Sequence, residues 1–326
     1  MQVTKAMIHP ELRKAGAGIR LVFSGFSKRT FRVANFVMRA MKGRCKSPLR
    51  YEQIFLPRDD GSLLRLCVYS PVSPREGVPG LLWLHGGGYA MGCPEQDEKN
   101  IRRFIDASFC LVVAPDYRLS LDAPYPAALE DCHAALLWLK ANGKQYGMRD
   151  DQIMVGGVSA GGGLAAAVTL YARDKGDVAI AYQTPLYPMM DDKMDTPSAR
   201  DNDAPVWNTK SSDIGWRLYL GDWFGKDDVP VYAAPARCVD LTGLPPVCSF
   251  VGSIDPFRDE TVGHMERLRA AGTEVEYQVF EGCFHGFDTV FTKTQIAQDA
   301  NDYLMACFDH AVAHCFSAQP TNEPTA

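Results

Sequence analysis

Residues 152–172 read QIMVGGVSAGGGLAAAVTLYA, and this stretch decides the fold. Residues 152–157 form a short apolar run ending in glycine, as a buried strand does. Residues 160–175 are small and aliphatic at their start and suit a helix. Between them stands Gly157-Val158-Ser159-Ala160-Gly161. A strand that turns straight into a helix crowds the positions two residues before and after its apex, so both need glycine. The apical Ser159 then holds its oxygen free above the end of the strand. It also sits at a helix N-terminus, where the dipole favours developing negative charge. GxSxG alone is a weak signal; between a strand and a helix it becomes specific. The competing reading is a glycine-rich turn with an incidental serine.

The same alternation extends in both directions. YEQIFLP (51–57) and LLRLCVYS (63–70), separated by Arg58-Asp59-Asp60-Gly61, predict a hairpin. Further strands are predicted at 81–85, 110–115, 179–188, 245–253 and 274–282. Helices are predicted at 95–107, 126–143, 259–271 and 291–315. Apolar strands alternating with helices imply a mainly parallel sheet covered on both faces, with the opening hairpin making one end antiparallel. In such sheets ligands bind at the carboxyl ends of the strands. Residues 189–245, rich in Asp, Pro, Trp and Lys, break the alternation and read as an insertion with one helix near 211–224. The tail 317–326 is expected to be disordered.

Composition narrows the class. At 326 residues with 46% hydrophobic and 22% charged residues, the chain is globular rather than disordered or fibrous. Its ten cysteines form no CxxC pair and no zinc-spaced cluster, and several lie in apolar runs. With no secretory signal apparent, they imply a reducing compartment, hence a cytoplasmic protein. No apolar run is long enough for an integral membrane segment. Residues 1–50 carry a net +11 and the rest −16. Segment 27–42, SKRTFRVANFVMRAMK, places Phe31, Ala34, Val37, Met38 and Met41 at helical spacing. The plain reading is an amphipathic helix packed on the acidic body with a solvated basic face. A membrane-surface patch is a second reading. Nucleic acid is not expected as a partner, because the whole chain is acidic and carries no binding motif.

Serine chemistry needs a base, an orienting acid and donors for an oxyanion. His285, in GCFHGF (282–287), directly follows a predicted strand, as the base should. His133 and His264 fall within helices, His310 and His314 lie on the last helix, and His9 belongs to the N-terminal arm. Asp255 in GSIDP (252–256) also directly follows a strand. Asp259 and Glu260 begin a helix, where acids serve the dipole. Asp116 ends a strand but precedes the serine in the chain. His85-Gly86-Gly87-Gly88 closes the strand 81–85 and leaves backbone N–H groups bare. No Walker-type Lys or Ser/Thr follows, which disfavours a phosphate cradle, and His85 itself reads as structural.

With these residues in place the chain resembles the hormone-sensitive-lipase-like family of α/β-hydrolase carboxylesterases. HGGGY (85–89), DYRL (116–119), APYPAALED (123–131), GVSAGGG (157–163), DPFRDE (255–260) and HGF (285–287) follow the family's order. The resemblance implies an α/β-hydrolase fold with a helical cap. It implies Ser159 as nucleophile, Asp255 as acid and His285 as base, with Gly87, Gly88 and Ala160 supplying oxyanion N–H groups. It further implies a catalytic domain at 51–188 and 246–316, capped by residues 1–50 and 189–245, with Arg118 and Asp131 as scaffold. Val158 departs from the Asp of many members, which bears on subfamily rather than on the triad.

The expected activity is a serine hydrolase acting on small, uncharged, short-acyl esters through an acyl-enzyme. No metal or organic cofactor is implied, and a homodimer is left open. An amidase or formamidase on the same fold is an alternative. A non-catalytic binding protein is a weaker one, since all three triad types are present. Trp207, Trp216, Trp223 and Phe224 are expected to pack the cap onto the body or to line its pocket.

Overall fold

The computed structural model describes residues 1–22 and 24–320. Among these the strands are β1 (Leu49–Pro57), β2 (Leu63–Pro71), β3 (Val78–Leu84), β4 (Leu111–Pro115), β5 (Met148–Val158), β6 (Tyr182–Leu186), β7 (Val247–Gly252) and β8 (Val275–Phe280). They form one sheet in the order β1-β2-β4-β3-β5-β6-β7-β8. The pairs β1–β2 and β2–β4 are antiparallel and the remaining neighbours parallel. This is the expected α/β-hydrolase arrangement, with its antiparallel end supplied by the opening hairpin. The helices are α1 (Arg13–Val22), α2 (Lys28–Met38), α3 (Glu98–Ser108), α4 (Ala127–Asn142), α5 (Ala160–Lys175), α6 (Thr209–Leu220), α7 (Arg258–Ala270), α8 (Phe287–Val290) and α9 (Gln295–His314).

Alternation along the central strands sorts the core into two layers. Leu82, Leu84, Val113 and Val155 pack on one face with Leu136 and Leu139 of α4 and Leu164 and Val168 of α5. Leu81, Trp83, Val112 and Met154 pack on the other with Ile101 and Phe104 of α3 and Leu304 and Phe308 of α9. Because both faces are covered, β3 and β4 are apolar throughout, continuous rather than alternating in hydrophobicity.

The sheet is not equally sewn along its width. Strand β5 pairs with β6 over five residues, but β6 and β7 share a single registered pair, Gln183↔Val247. Gln183 and Tyr187 donate their N–H groups to Pro246 and Phe250. Pro185, two residues from each, has no N–H to give. The Ser249 hydroxyl compensates by donating to the Pro185 carbonyl at 2.5 Å.

Residues 1–48 and 189–245 lie outside this alternation, β1 beginning at Leu49 rather than at the expected 51. Phe31 of α2 is fully buried and stacks on Phe26 at 4.9 Å, and both rings meet Trp207 of the insertion. Trp216 and Tyr219 of α6 join the core layer of α4 and α5. The expected disordered tail is corrected over 317–320. Ser317 N–H donates to Asp151 O, and both amide atoms of Gln319 bond the backbone of Ala179; residues 321–326 lie outside the described residues. No helix among the described residues is long and apolar enough to cross a membrane.

Candidate active site

Ser159 stands between β5 and α5 with φ 57° and ψ −121°, a conformation costly for any residue with a side chain. Its surroundings require the two flanking glycines. A Cβ on Gly157 would come within 2.4 Å of Gly161 O, and one on Gly161 within 2.0 Å of Leu84 O. The turn is pinned by Ser159 N–H donating to Leu186 O and by Ser159 O accepting from Met189. Ala160 is the first residue of α5, so its N–H has no intrahelical acceptor.

The loop after β3 lies beside this turn. Gly87 has φ 129° and Gly88 φ 58°, both in the region that glycine tolerates. Neither N–H donates a hydrogen bond among the described residues. His85 is buried, stacks on Tyr117 at 4.2 Å and holds Gly86 O through Nδ1 at 2.9 Å. Burial lowers its pKa to about 4, so it is a neutral support for the loop, as expected. Trp207 roofs the loop: a Cβ on Gly88 would meet its Cη2 at 2.2 Å. The indole is fixed by Nε1–H donating to Ser212 Oγ at 2.9 Å.

Asp255 follows β7 and His285 follows β8, and the fold brings both to Ser159. His285 Nε2 lies 2.8 Å from Ser159 Oγ. Its Nδ1 lies 2.8 Å from Asp255 Oδ2. The Asp255 carboxylate is inaccessible to solvent, and its Oδ1 accepts from Phe257 N–H. Three rings box the imidazole: Tyr187 and Phe257 edge-on, both at 5.0 Å, and Trp207 at 6.1 Å. The loop that carries His285 is also braced by the N-terminal arm, where His9 N–H donates to Gly282 O at 2.8 Å. An imidazole between a carboxylate and a hydroxyl, beside bare N–H groups, has the geometry to take a proton from the serine while the N–H groups face an oxyanion.

The residues set aside in the sequence stay apart from this cluster. His133 pairs with Asp177 at 3.0 Å, His310 with Glu274 at 3.7 Å, and His264 is buried in α7. Asp116 accepts from Lys42 and Arg65. Asp131 is buried and clamped by Arg58 and Arg118, as a scaffold residue should be. Of the four cap aromatics only Trp207 reaches the site; Trp216 is in the core, and Trp223 and Phe224 pack half-buried against it. Tyr187, Phe257 and the buried acids Asp97 and Asp288 carried no signal in the sequence. Burial pushes Asp97 up to about 7 and Asp288 up to about 6. Trp83 Nε1–H donates to Asp97, and the Tyr187 hydroxyl donates to Asp288. Among the described residues no cluster of His, Cys, Asp or Glu is disposed to hold a metal ion.

Comparison with known proteins accords with this geometry. The profile of the alpha/beta hydrolase fold family matches residues 81–289. Esterase LipI of Mycobacterium tuberculosis is 36% identical over 221 residues, covering 67% of this chain and 69% of that protein. Carboxylesterase NlhH of the same species is 31% identical over 287 residues, covering 85% and 89%. Among solved structures a bacterial heroin esterase superposes with a TM-score of 0.87 at 31% identity, covering 95% of this chain and 99% of its own.

Proposed function

We propose that this chain, which belongs to the hormone-sensitive-lipase-like family of α/β-hydrolases and is a serine carboxylesterase, hydrolyses small short-acyl esters through an acyl-enzyme on Ser159. The observation that carries this reading is the His285 ring held between Asp255 and Ser159, 2.8 Å from each. In the first half-reaction Ser159 Oγ attacks the ester carbonyl while His285 Nε2 takes its proton. Asp255 orients the ring and stabilises the imidazolium. The oxyanion is held by the N–H groups of Gly87, Gly88 and Ala160, each such donor worth about 2.7–4 kcal/mol of barrier. His285 returns the proton to the leaving alcohol. Water then repeats the sequence on the acyl group and frees the acid.

Residues 1–50 and 189–245 serve as the cap in this reading. Trp207 against Gly88 restricts the room beside the oxyanion donors, which favours short acyl groups. The ten free thiols, most of them buried, suit a reducing cytoplasm. The test is hydrolysis of p-nitrophenyl esters. Ser159→Ala should lower kcat by about 10⁴–10⁶-fold, and wild-type activity should fall from acetyl and butyryl towards palmitoyl. Near-wild-type turnover by the variant rejects the nucleophile, and a maximum at palmitoyl rejects the short-acyl preference.

A further inference from the structure

Helix α2 buries one side and leaves the other without a partner among the described residues. Phe31 points into the core, and Asn35 fixes the rotation by donating to Ala90 O at 3.0 Å and accepting from Gly92 N–H at 3.1 Å. At about 3.6 residues per turn the opposite side gathers Val33, Phe36 and Val37. These side chains are 64%, 73% and 65% exposed. Large apolar groups clustered in water mark a contact surface.

One border of this strip is basic, and Arg29 stands within it. Lys28, Arg29, Arg32 and Arg39 are exposed on the same helix or at its end. None of the four forms an ion pair among the described residues. Three acids beside the end of this segment are already engaged. Asp116 takes Lys42, Glu95 accepts from Gly43 N–H, and Glu98 accepts from the N–H groups of Lys46 and Ser47. Among the described residues the face therefore presents unpaired positive charge along one edge of an apolar strip, on the segment that carries +11 against a body of −16.

We propose that the outer face of α2 docks this esterase peripherally on an anionic lipid surface, with Val33, Phe36 and Val37 entering the interface and Lys28, Arg29, Arg32 and Arg39 meeting lipid phosphates. An amphipathic helix with a small apolar stripe and basic flanks lies in the plane of such a surface. A second copy of the chain fits less well, because a two-fold contact through α2 would set arginine against arginine. A nucleic acid would satisfy the charges but has no use for the exposed Phe36 and valines.

Vesicle co-sedimentation of the full chain tests this. The protein should pellet with vesicles containing phosphatidylglycerol and stay in solution with phosphatidylcholine alone. It should be released at about 1 M salt, where the screening length is about 3 Å. Arg29→Gln/Arg32→Gln/Arg39→Gln should weaken partitioning by about a hundredfold, each lost charge being worth roughly fivefold. Val33→Ser/Phe36→Ser/Val37→Ser should weaken it by at least about tenfold. Both variants should keep the wild-type melting temperature and vesicle-free hydrolysis of p-nitrophenyl acetate, which makes lost binding a surface effect. Failure of the wild type to pellet overturns the proposal, as does binding unaltered in the serine variant. Concentration-dependent dimerisation abolished by the serine variant overturns it in favour of self-association. Heparin or duplex binding in place of vesicle binding overturns it in favour of a polyanion site.

Discussion

Gly88→Ala is the substitution on which the geometry of the oxyanion loop makes its sharpest demand. Two penalties arise from one methyl group. Gly88 has φ 58°, where an L-residue costs roughly 1–2 kcal/mol. The new Cβ would also stand 2.2 Å from Trp207 Cη2 and 2.8 Å from Cζ2. Carbon atoms rest at about 3.5–4.0 Å, so ring or loop must retreat by more than an ångström. The ring is buried and tethered to Ser212, and the loop therefore yields, at an overpacking cost of about 1–3 kcal/mol. On the proposed mechanism a displaced Gly88 N–H would no longer meet the oxyanion, which predicts a drop in kcat of about 10²–10³-fold. Trp207→Phe removes the outer ring that causes the clash but not the backbone strain. The double variant should recover most of the lost kcat and only part of the lost stability. The assay is kcat and KM on p-nitrophenyl acetate and butyrate for the two single variants and the double, with thermal melts of each. Purely additive losses, or a Gly88→Ala enzyme within about tenfold of wild type, would refute the placement of the indole over the loop.

Two further substitutions probe the scaffold. Asp131→Ala leaves Arg58 facing an empty buried site where the carboxylate accepted at 2.8 and 2.9 Å. Stability to urea should fall by about 3–5 kcal/mol with kcat of the folded enzyme unchanged, and a loss confined to kcat would contradict the scaffold role. Asp97→Asn removes a carboxyl that burial pushes up to about 7. Because the folded protein holds that proton more tightly than the unfolded chain, the wild type loses stability as pH rises from about 4 to about 7. The variant should gain on the wild type by up to about 1.4 kcal/mol per pH unit across that window. Denaturant melts at several pH values would show it, and a stability difference constant with pH would count against the buried acid.

Much of the site was legible because its constraints are local. The crowding at Gly157 and Gly161 follows from the turn alone, and Asp255 and His285 each close a strand that the apolar runs had located. What escaped depends on tertiary contacts. Periodicity grouped Val37 with Phe31 on the inner side of α2, yet Asn35 wins that side through two hydrogen bonds and Val37 turns outward. Helix α1 contains Gly16 and Gly18, poor helix formers. It forms where Gly16 lies so close to Phe284 and Pro205 that a Cβ would stand 3.1 and 3.2 Å from them. The tail, expected to be disordered, is held over 317–320, where the Gln319 amide bonds both backbone groups of Ala179 as a strand partner would. Nothing near Trp207 in the sequence marks it apart from the other cap tryptophans; only its approach to Gly88 does.

The weakly paired line between β6 and β7 runs through the middle of the chemistry. Ser159 and the glycine loop are carried by β5 and β3 on one side, and Asp255 and His285 by β7 and β8 on the other. The 2.8 Å from Oγ to Nε2 thus spans two slabs of sheet, and the Ser249 hydroxyl on Pro185 is one of the bonds that join them. On the proposed mechanism, a slight parting there would separate Ser159 from His285 while leaving each slab folded, and activity should then fall at a lower temperature than the fold does.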